Sequence, residues 1–359
     1  MKLKFITEQD WKNIDKSKPI YVFGAGSYGK EVAKYLRKKG FNFKGFCLDD
    51  EYYSDNLDEN FVSISYLSSK YEKNYYLFYG VGSVDRLHKF MQEKWHDEAL
   101  VIWDPWLTFD GGKESIRENL DKYDDTLSLY ADDLSRKTQI DFLKALLTGN
   151  AEDDIQNLCQ GTYFNVLTEG LKRMTGGFVD CGAYDGDSVR EYLDFVKDNR
   201  SESSNIYAFE PDEDNYAKLK RSFENNKNVR AICMGCWDSC TELHFEADSE
   251  ETSSISESGC ISINVTTIDK VVKKDKISCI KMDIEGSELA ALRGAKKTIQ
   301  RRDYPMLLIS AYHKIDDLIT LPQYIKSIDK ENRYKLYLRH HALTRPELVL
   351  YAIPTEVEE

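Results

Sequence analysis

Gly177-Phe178-Val179-Asp180-Cys181-Gly182-Ala183-Tyr184-Asp185-Gly186 is the stretch that decides the fold of the second half of this chain. Its first four residues read as a short strand, and Cys181 to Asp187 as a loop that opens a helix at Ser188. The loop has the form D-x-G-x-x-x-G, with Gly182 and Gly186 four apart. Glycine lets backbone approach a ligand closely. This spacing leaves room for a nucleoside and an amino-acid tail, with no pyrophosphate to cradle.

Outward from that loop, strands and helices alternate, the pattern of an open parallel sheet. Asn205 to Phe209 is a strand ending at Glu210-Pro211, where a carboxylate can accept both hydroxyls of a ribose. A helix over Asn215 to Phe223 and a strand over Val229 to Met234 follow. Asp238, just beyond, either reaches an adenine amine or sits in a surface turn. The strand Ser278 to Asp283 ends in a carboxylate, and Ile284-Glu285-Gly286-Ser287-Glu288 turns into a helix with Leu289, Leu292 and Ile299 on its apolar side. Met306 to Ala311 then delivers Tyr312 and His313. Ligands of doubly wound sheets bind outside the carboxyl ends of the strands, so Asp283, Glu285 and His313 are expected to converge beside the glycine loop. Two alternating strands, Tyr334 to Arg339 and Glu347 to Ile353, close the chain as a hairpin that places one antiparallel strand at the sheet edge.

A similar unit stands at the N-terminus. The strand Pro19 to Phe23 runs into Gly24-Ala25-Gly26-Ser27-Tyr28-Gly29, a helix follows from about Lys30 to Lys39, and a strand over Phe43 to Leu48 ends at Asp49. This G-x-G-x-x-G between strand and helix, with an acid 20 residues past its last glycine, suits a pyrophosphate at the helix N-terminus and a ribose on Asp49. Further strands over Tyr75 to Tyr79 and Ala99 to Trp103 close a small sheet by about residue 107. The unit resembles the N-terminal nucleotide-binding domain of bacterial sugar acyltransferases, as well as dehydrogenase Rossmann domains. Its ligand is then a nucleotide-sugar or NAD; alternatively it is a scaffold that binds nothing and supports a homodimer. Residues 108–175 read as a helical linker or cover, with Tyr163 in a segment leading to the second unit. The expected domains are therefore 1–107, 108–175 and 176–359.

The bulk numbers narrow the class. A chain of 359 residues holds two cores, and 41% hydrophobic with 31% charged residues suits a globular protein. A net charge of −13 argues against a nucleic-acid partner, which would need clustered Lys and Arg. No apolar run is long enough to span a membrane, the first ten residues lack a secretion signal, and eight scattered cysteines read as reduced thiols, so a cytoplasmic location is expected. Cys233, Cys236, Cys240 and His244 have zinc-like spacing, but they fall on and around an expected strand, and are read as ordinary thiols and imidazole.

The segments Phe178 to Val189, Ala208 to Pro211, Ile280 to Glu288, Leu292 to Ala295, Tyr312 to Lys314 and Tyr337 to His341 together resemble the FkbM family of methyltransferases over roughly residues 130 to 355. The fold this implies is α/β: two doubly wound units, an N-terminal Rossmann-like domain and a C-terminal class I methyltransferase fold with the terminal hairpin. The activity implied is transfer of a methyl group from S-adenosyl-L-methionine to an oxygen, commonly a hydroxyl of a sugar or natural product. On that basis Asp180, Gly182, Tyr184, Gly186, Glu210, Pro211, Asp238 and Asp283 are expected to hold the cofactor, and Tyr163, Glu288, Tyr312, Arg339 and His340 to face a sugar or nucleotide-sugar substrate.

The chemistry then needs something to take the substrate proton. His313 is the first choice of base because an unperturbed imidazole titrates near 6.5, with Asp283 or Glu285 orienting it. The same three residues could instead hold Mg²⁺ or Mn²⁺. Two other functions stand as alternatives. One is an NAD-dependent oxidoreductase driven by the first unit, for which only His88 and His96 offer a donor; the other is a non-catalytic nucleotide-sugar-binding protein.

Overall fold

The computed structural model describes residues 2–54, 60–71, 74–81, 98–103, 112–159, 163–164, 176–198, 205–245, 261–301, 304–342 and 347–355. His88 and His96 lie outside them. The chain forms two compact units: residues 1–120, 137–158 and 340–347, and residues 121–136, 159–339 and 348–359.

In the first unit, β1 (Lys2–Phe5), β2 (Ile20–Phe23), β3 (Phe43–Leu48), β4 (Phe61–Ser63), β5 (Tyr76–Tyr79) and β6 (Glu98–Val101) form one sheet in the order β1-β6-β5-β2-β3-β4. Every described pairing in it is parallel. Two of these strands escaped the sequence pattern. β1 carries lysines at alternate positions, and β4 has only three residues, too short to show a period. The helix Ser27–Lys38 packs on the sheet through Val32, Ala33 and Leu36, all fully buried.

The second unit is a mixed sheet of seven strands. In chain order its members are β7 (Gly177–Cys181), β8 (Ile206–Phe209) and β9 (Val229–Ile232), then β13 (Ile277–Met282), β14 (Met306–Ser310), β15 (Tyr334–His340) and β16 (Leu348–Pro354). The intervening β10 (Gly235–Cys236), β11 (Thr241–Phe245) and β12 (Ile261–Thr266) make a separate small sheet. The large sheet runs β15-β16-β14-β13-β7-β8-β9, so the strands carrying Asp180, Asp283 and His313 are neighbours, as expected. One expectation needs correcting. The antiparallel strand is not at the edge: β16 pairs antiparallel with β14 inside the sheet, and β15 takes the edge. Burial explains the order, because every residue of β16 is buried whereas Lys335 of β15 is exposed.

β7, β8, β13 and β14 are buried throughout, as a parallel sheet covered on both faces requires. Their core includes Phe178 stacked on Tyr192, with ring centroids 4.5 Å apart, and Phe164 edge-on to both. This rigid packing fixes the strand ends from which the candidate site is built.

Candidate functional site

β7 runs out at Gly182, whose φ is +80°. A β-carbon there would lie 2.0 Å from the carbonyl oxygen of Asp283. Only glycine lets the loop cross so tightly over the end of β13. The Gly182 and Ala183 N–H groups both donate to the Phe209 carbonyl, at 3.0 and 2.9 Å, which ties the loop to the end of β8 as well. Gly186, at φ +93°, leaves room that a β-carbon would take from the ring of Phe223, 2.3 Å away. Between them Tyr184 adopts φ 47° with its side chain 55% exposed, and its N–H donates 2.8 Å to Glu210 Oε2. The other Glu210 oxygen accepts the Asp212 N–H at 3.0 Å. Burial raises the Glu210 pKa, opposed by these two backbone donors. Each oxygen keeps a lone pair for another donor.

Beneath the loop, Asp180 and Lys281 face each other in register on adjacent strands. Lys281 Nζ lies 3.3 Å from Asp180 Oδ1 and 3.5 Å from the Gly182 carbonyl oxygen. Burial pushes the Asp180 carboxyl up to about 6, with the Lys281 ammonium working against that rise. Burial opposes the charge on Lys281 too, but Asp180, Asp283 and Asp187 outweigh it and hold the ammonium above its ordinary range. Asp180 Oδ2 is fully buried with no hydrogen-bond partner. The ring of Tyr163 sits 5.9 Å from Lys281 Nζ, so this residue packs on the ion pair. The sequence held one signal for Lys281: a lone cation inside an apolar strand needs a buried partner.

The carboxyl ends of β13 and β14 supply the second half of the site. Glu285 and Gly286 both have left-handed backbone, φ 52° and 88°, and the turn is closed by the Ile284 N–H donating 2.9 Å to Glu288 Oε1. His313 Nε2 lies 3.5 Å from Asp283 Oδ1 and 3.6 Å from Glu285 Oε2. The Tyr312 hydroxyl donates to the same Asp283 oxygen at 3.1 Å. His313 Nδ1 faces Glu288 Oε1 at 2.8 Å, an ion-pair contact that is out of line for a hydrogen bond. Asp283, Glu285, Tyr312 and His313 are thus brought together as expected. Glu288 is completely buried and contacts protein where a substrate had been expected.

Electrostatics change the role of His313. Burial disfavours its charge, but Glu288, then Asp283 and Glu285, more than compensate and lift its pKa to about 9. At neutral pH the ring is therefore an imidazolium, not the free base expected from an unperturbed value. Asp317, buried nearby, is pushed up to about 7 by burial and by the Glu288 charge.

Several expected residues are committed elsewhere. Arg339 is 5% exposed and bound to Asp132 at 2.5 Å and to the Ser135 hydroxyl at 2.9 Å. His340 is fully buried with Nδ1 3.3 Å from Asp154. Both were expected to face substrate; a buried polar side chain needs a protein partner, and Asp132 and Asp154 supply them. Asp238 is exposed and accepts the Ser239 hydroxyl at 2.9 Å, while Pro211 lies against Gly235. Among the described residues no group of His, Cys, Asp and Glu could hold a metal ion. The described cysteines are free thiols.

The first unit's glycines divide by role. A β-carbon on Gly24 would meet the Gly80 carbonyl oxygen at 2.9 Å, and one on Gly29 the Gly24 carbonyl oxygen at 2.2 Å, so both serve a close backbone crossing. Gly26, at the N-cap of the helix Ser27–Lys38, has open space around it. Tyr28 was expected in a nucleotide loop, but it is buried and its hydroxyl donates to the Ile102 carbonyl. Ser27 opens the helix, and the Asp49 carbonyl is taken by the Tyr52 and Tyr53 N–H groups.

Comparison with known proteins agrees with this geometry. Residues 180–336 match the model of the methyltransferase FkbM domain, and residues 19–94 that of the PglD N-terminal domain. The structure resembles that of the methyltransferase FkbM from Methylobacillus flagellatus KT at a TM-score of 0.70 and 22% identity, over 94% of this chain and 90% of that one. An rRNA methylase from Streptococcus thermophilus is similar at a TM-score of 0.33 and 13% identity, over 55% of this chain and all (100%) of that one. The SAH-bound Podospora anserina methyltransferase gives 0.30 and 10%, over 69% and 96%. No curated protein matches the sequence. The residues that match the FkbM methyltransferase domain lie in the second unit, and the chain shares the fold of the Methylobacillus flagellatus structure. No described helix is long and apolar enough to cross a membrane.

Proposed function

We propose that the protein is an O-methyltransferase that moves a methyl group from S-adenosyl-L-methionine to a hydroxyl of a cytoplasmic sugar or nucleotide-sugar. The observation that carries this reading is the crossing of Gly182 over the Asp283 carbonyl. It brings the glycine loop after β7 against the end of β13 that carries Asp283, which supports a cofactor and an acceptor side by side. The residues fit the cofactor. Gly182 and Gly186 let the loop pass close over β13 and Phe223, Glu210 has lone pairs for ribose hydroxyls, and the orphaned Asp180 Oδ2 suits the ammonium of an amino-acid tail.

S-adenosyl-L-methionine supplies, when bound, a methyl carbon made electrophilic by its positively charged sulfur. The protein's task is to present an oxygen in line with that carbon, and such alignment is worth up to about 7–11 kcal/mol of barrier. Asp283 accepts the hydroxyl proton as the oxygen–carbon bond forms and the carbon–sulfur bond breaks. His313, already protonated, cannot take that proton. It donates from Nε2 to the acceptor and fixes its orientation between Asp283 and Glu285. Tyr312 steadies Asp283 through its hydroxyl. For the first unit we infer nucleotide-sugar binding at Gly26-Ser27, supported by the open N-cap of that helix.

Calorimetry of the full chain with S-adenosylhomocysteine tests the reading, and absence of binding would overturn it. A panel of nucleotide-sugars incubated with S-adenosyl-L-methionine should yield one product heavier by a methyl group in mass spectrometry.

A further inference from the structure

Glu288 opens the helix Glu288–Gly294 and is completely buried. One of its oxygens meets two groups of the site. Oε1 accepts the Ile284 N–H at 2.9 Å and stands 2.8 Å from His313 Nδ1. The Ile284 N–H and the Asp283 carbonyl belong to one rigid peptide unit, so the same oxygen steadies the carbonyl that the Gly182 loop crosses. Oε2 is buried with no hydrogen-bond partner. A carboxylate this far from water needs a cation beside it, and among the described residues the cation in ion-pair contact is His313.

Seen from the ring, Glu288 has no equal. Asp283 and Glu285, at the end of β13, lie 3.5 and 3.6 Å from Nε2 with side chains 28% and 83% exposed, so water weakens their pull. Asp317, from the helix Asp317–Ile328, acts from farther off, and the Tyr312 ring packs 4.2 Å away, centroid to centroid. Despite burial, the His313 pKa rises to about 9, with Glu288 foremost among the groups that lift it. A neutral imidazole carries one N–H and a charged one carries two. Nδ1 faces an oxygen that can only accept, so Nδ1 is where a single hydrogen would sit. Nε2 therefore has a hydrogen to donate only while the ring is charged.

We infer that Glu288 is a positioning residue for methyl transfer: by keeping His313 charged it gives Nε2 the hydrogen that orients the acceptor, and it holds the Asp283 peptide in place. This rests on the methyl-transfer reading above and adds to it a residue that touches neither cofactor nor acceptor.

The test is Glu288→Gln in the full chain, because the glutamine carbonyl can still accept the Ile284 N–H while the charge is gone. Nitrogen-15 NMR of the imidazole at pH 8 should show both His313 nitrogens protonated in the unaltered chain, and hydrogen on Nδ1 alone in the variant. Turnover of the nucleotide-sugar methylated in the panel above should be level from pH 5.5 to 8 in the unaltered chain. In the variant it should fall about thirtyfold at pH 8 and at most about twofold at pH 5.5, since a ring titrating near 6.5 is charged only at the lower pH. S-adenosylhomocysteine affinity should stay close to that of the unaltered chain. If Glu288→Gln does not fold, Glu288→Asp decides the point: with the charge kept, it should show both ring nitrogens protonated at pH 8. A variant ring with its hydrogen on Nε2, a loss equal at both pH values, or a neutral ring in Glu288→Asp overturns the proposal. Failure of the unaltered chain to bind S-adenosylhomocysteine instead overturns the methyl-transfer reading, and this role falls with it.

Discussion

Replacing Gly182 by alanine perturbs the site at one point whose cost can be worked out. The residue sits at φ +80°, where an L side chain costs about 1–2 kcal/mol. The added β-carbon would also lie 2.0 Å from the Asp283 carbonyl oxygen. That oxygen cannot swing away like the end of a long side chain, because its peptide unit is held through the Ile284 N–H, which donates 2.9 Å to Glu288 Oε1. Relief must come from the backbone of β13 or of the loop, and overpacking of this kind costs about 1–3 kcal/mol. The sum is about 2–5 kcal/mol, equivalent to roughly 30-fold to several-thousand-fold if it falls on ligand binding. Falling instead on the fold, it would lower Tm by about 2–4 °C per kcal/mol for a unit of this size. Gly182→Ala should therefore lose S-adenosylhomocysteine affinity, thermal stability, or both, as read by calorimetry and thermal unfolding. Gly26→Ala is the control, since nothing lies within 4 Å of a β-carbon there. Unchanged affinity and unchanged Tm in Gly182→Ala would refute the claim that this crossing organises the site.

The charge cluster gives a pH prediction with a definite sign. The folded pKa of His313, about 9, exceeds its unfolded value near 6.5, so its contribution is complete below about 6.5 and lost as pH rises through 9. The magnitude is on the order of 3 kcal/mol; NMR titration should find an imidazole near 9 that moves sharply down in Glu288→Gln, and a titration near 6.5 in the unaltered chain would refute it. Asp180 and Asp317 are likewise raised, to about 6 and about 7, so each withdraws stability as pH climbs from 4 through those values, and Asp317→Asn should flatten that slope in denaturant unfolding. Glu210→Gln keeps an amide oxygen for one backbone N–H but loses the second acceptor, and S-adenosylhomocysteine should bind at least about tenfold more weakly with little change in Tm. Arg339→Met leaves Asp132 with only its Ser135 donors and no cation, and should cost about 1–3 kcal/mol of stability while sparing S-adenosylhomocysteine affinity; a loss of affinity alone would restore Arg339 to the binding site.

What could be read from the sequence, and what could not, follows the distance over which each feature is determined. The glycine loop and the Asp283–Glu288 turn were legible because strand, loop and helix are contiguous there, and a strand's end places its next residues at the ligand edge whatever the rest of the chain does. The meeting of His313 with Asp283 and Glu285 was legible for a related reason: order in a doubly wound sheet makes β13 and β14 neighbours. The protonation of His313 was not. It depends first on Glu288, which opens the helix after the turn, and no spacing rule says that its buried carboxylate will face this ring. Arg339 and His340 failed for the converse reason. A basic residue on an alternating strand looks like a solvated edge until a partner some two hundred residues away is found, and Asp132 and Asp154 are those partners. Lys281 shows most clearly where a sequence pattern stops short of a role. Its burial within an apolar strand demanded an acid, and Asp180 was the nearest acid at an adjacent strand end, yet the pair matters through its effect on the Gly182 carbonyl. One buried ammonium thereby binds the floor of the loop to the strand that carries Asp283. A substitution that removed the charge pair without disturbing the fold should loosen cofactor and acceptor sites together.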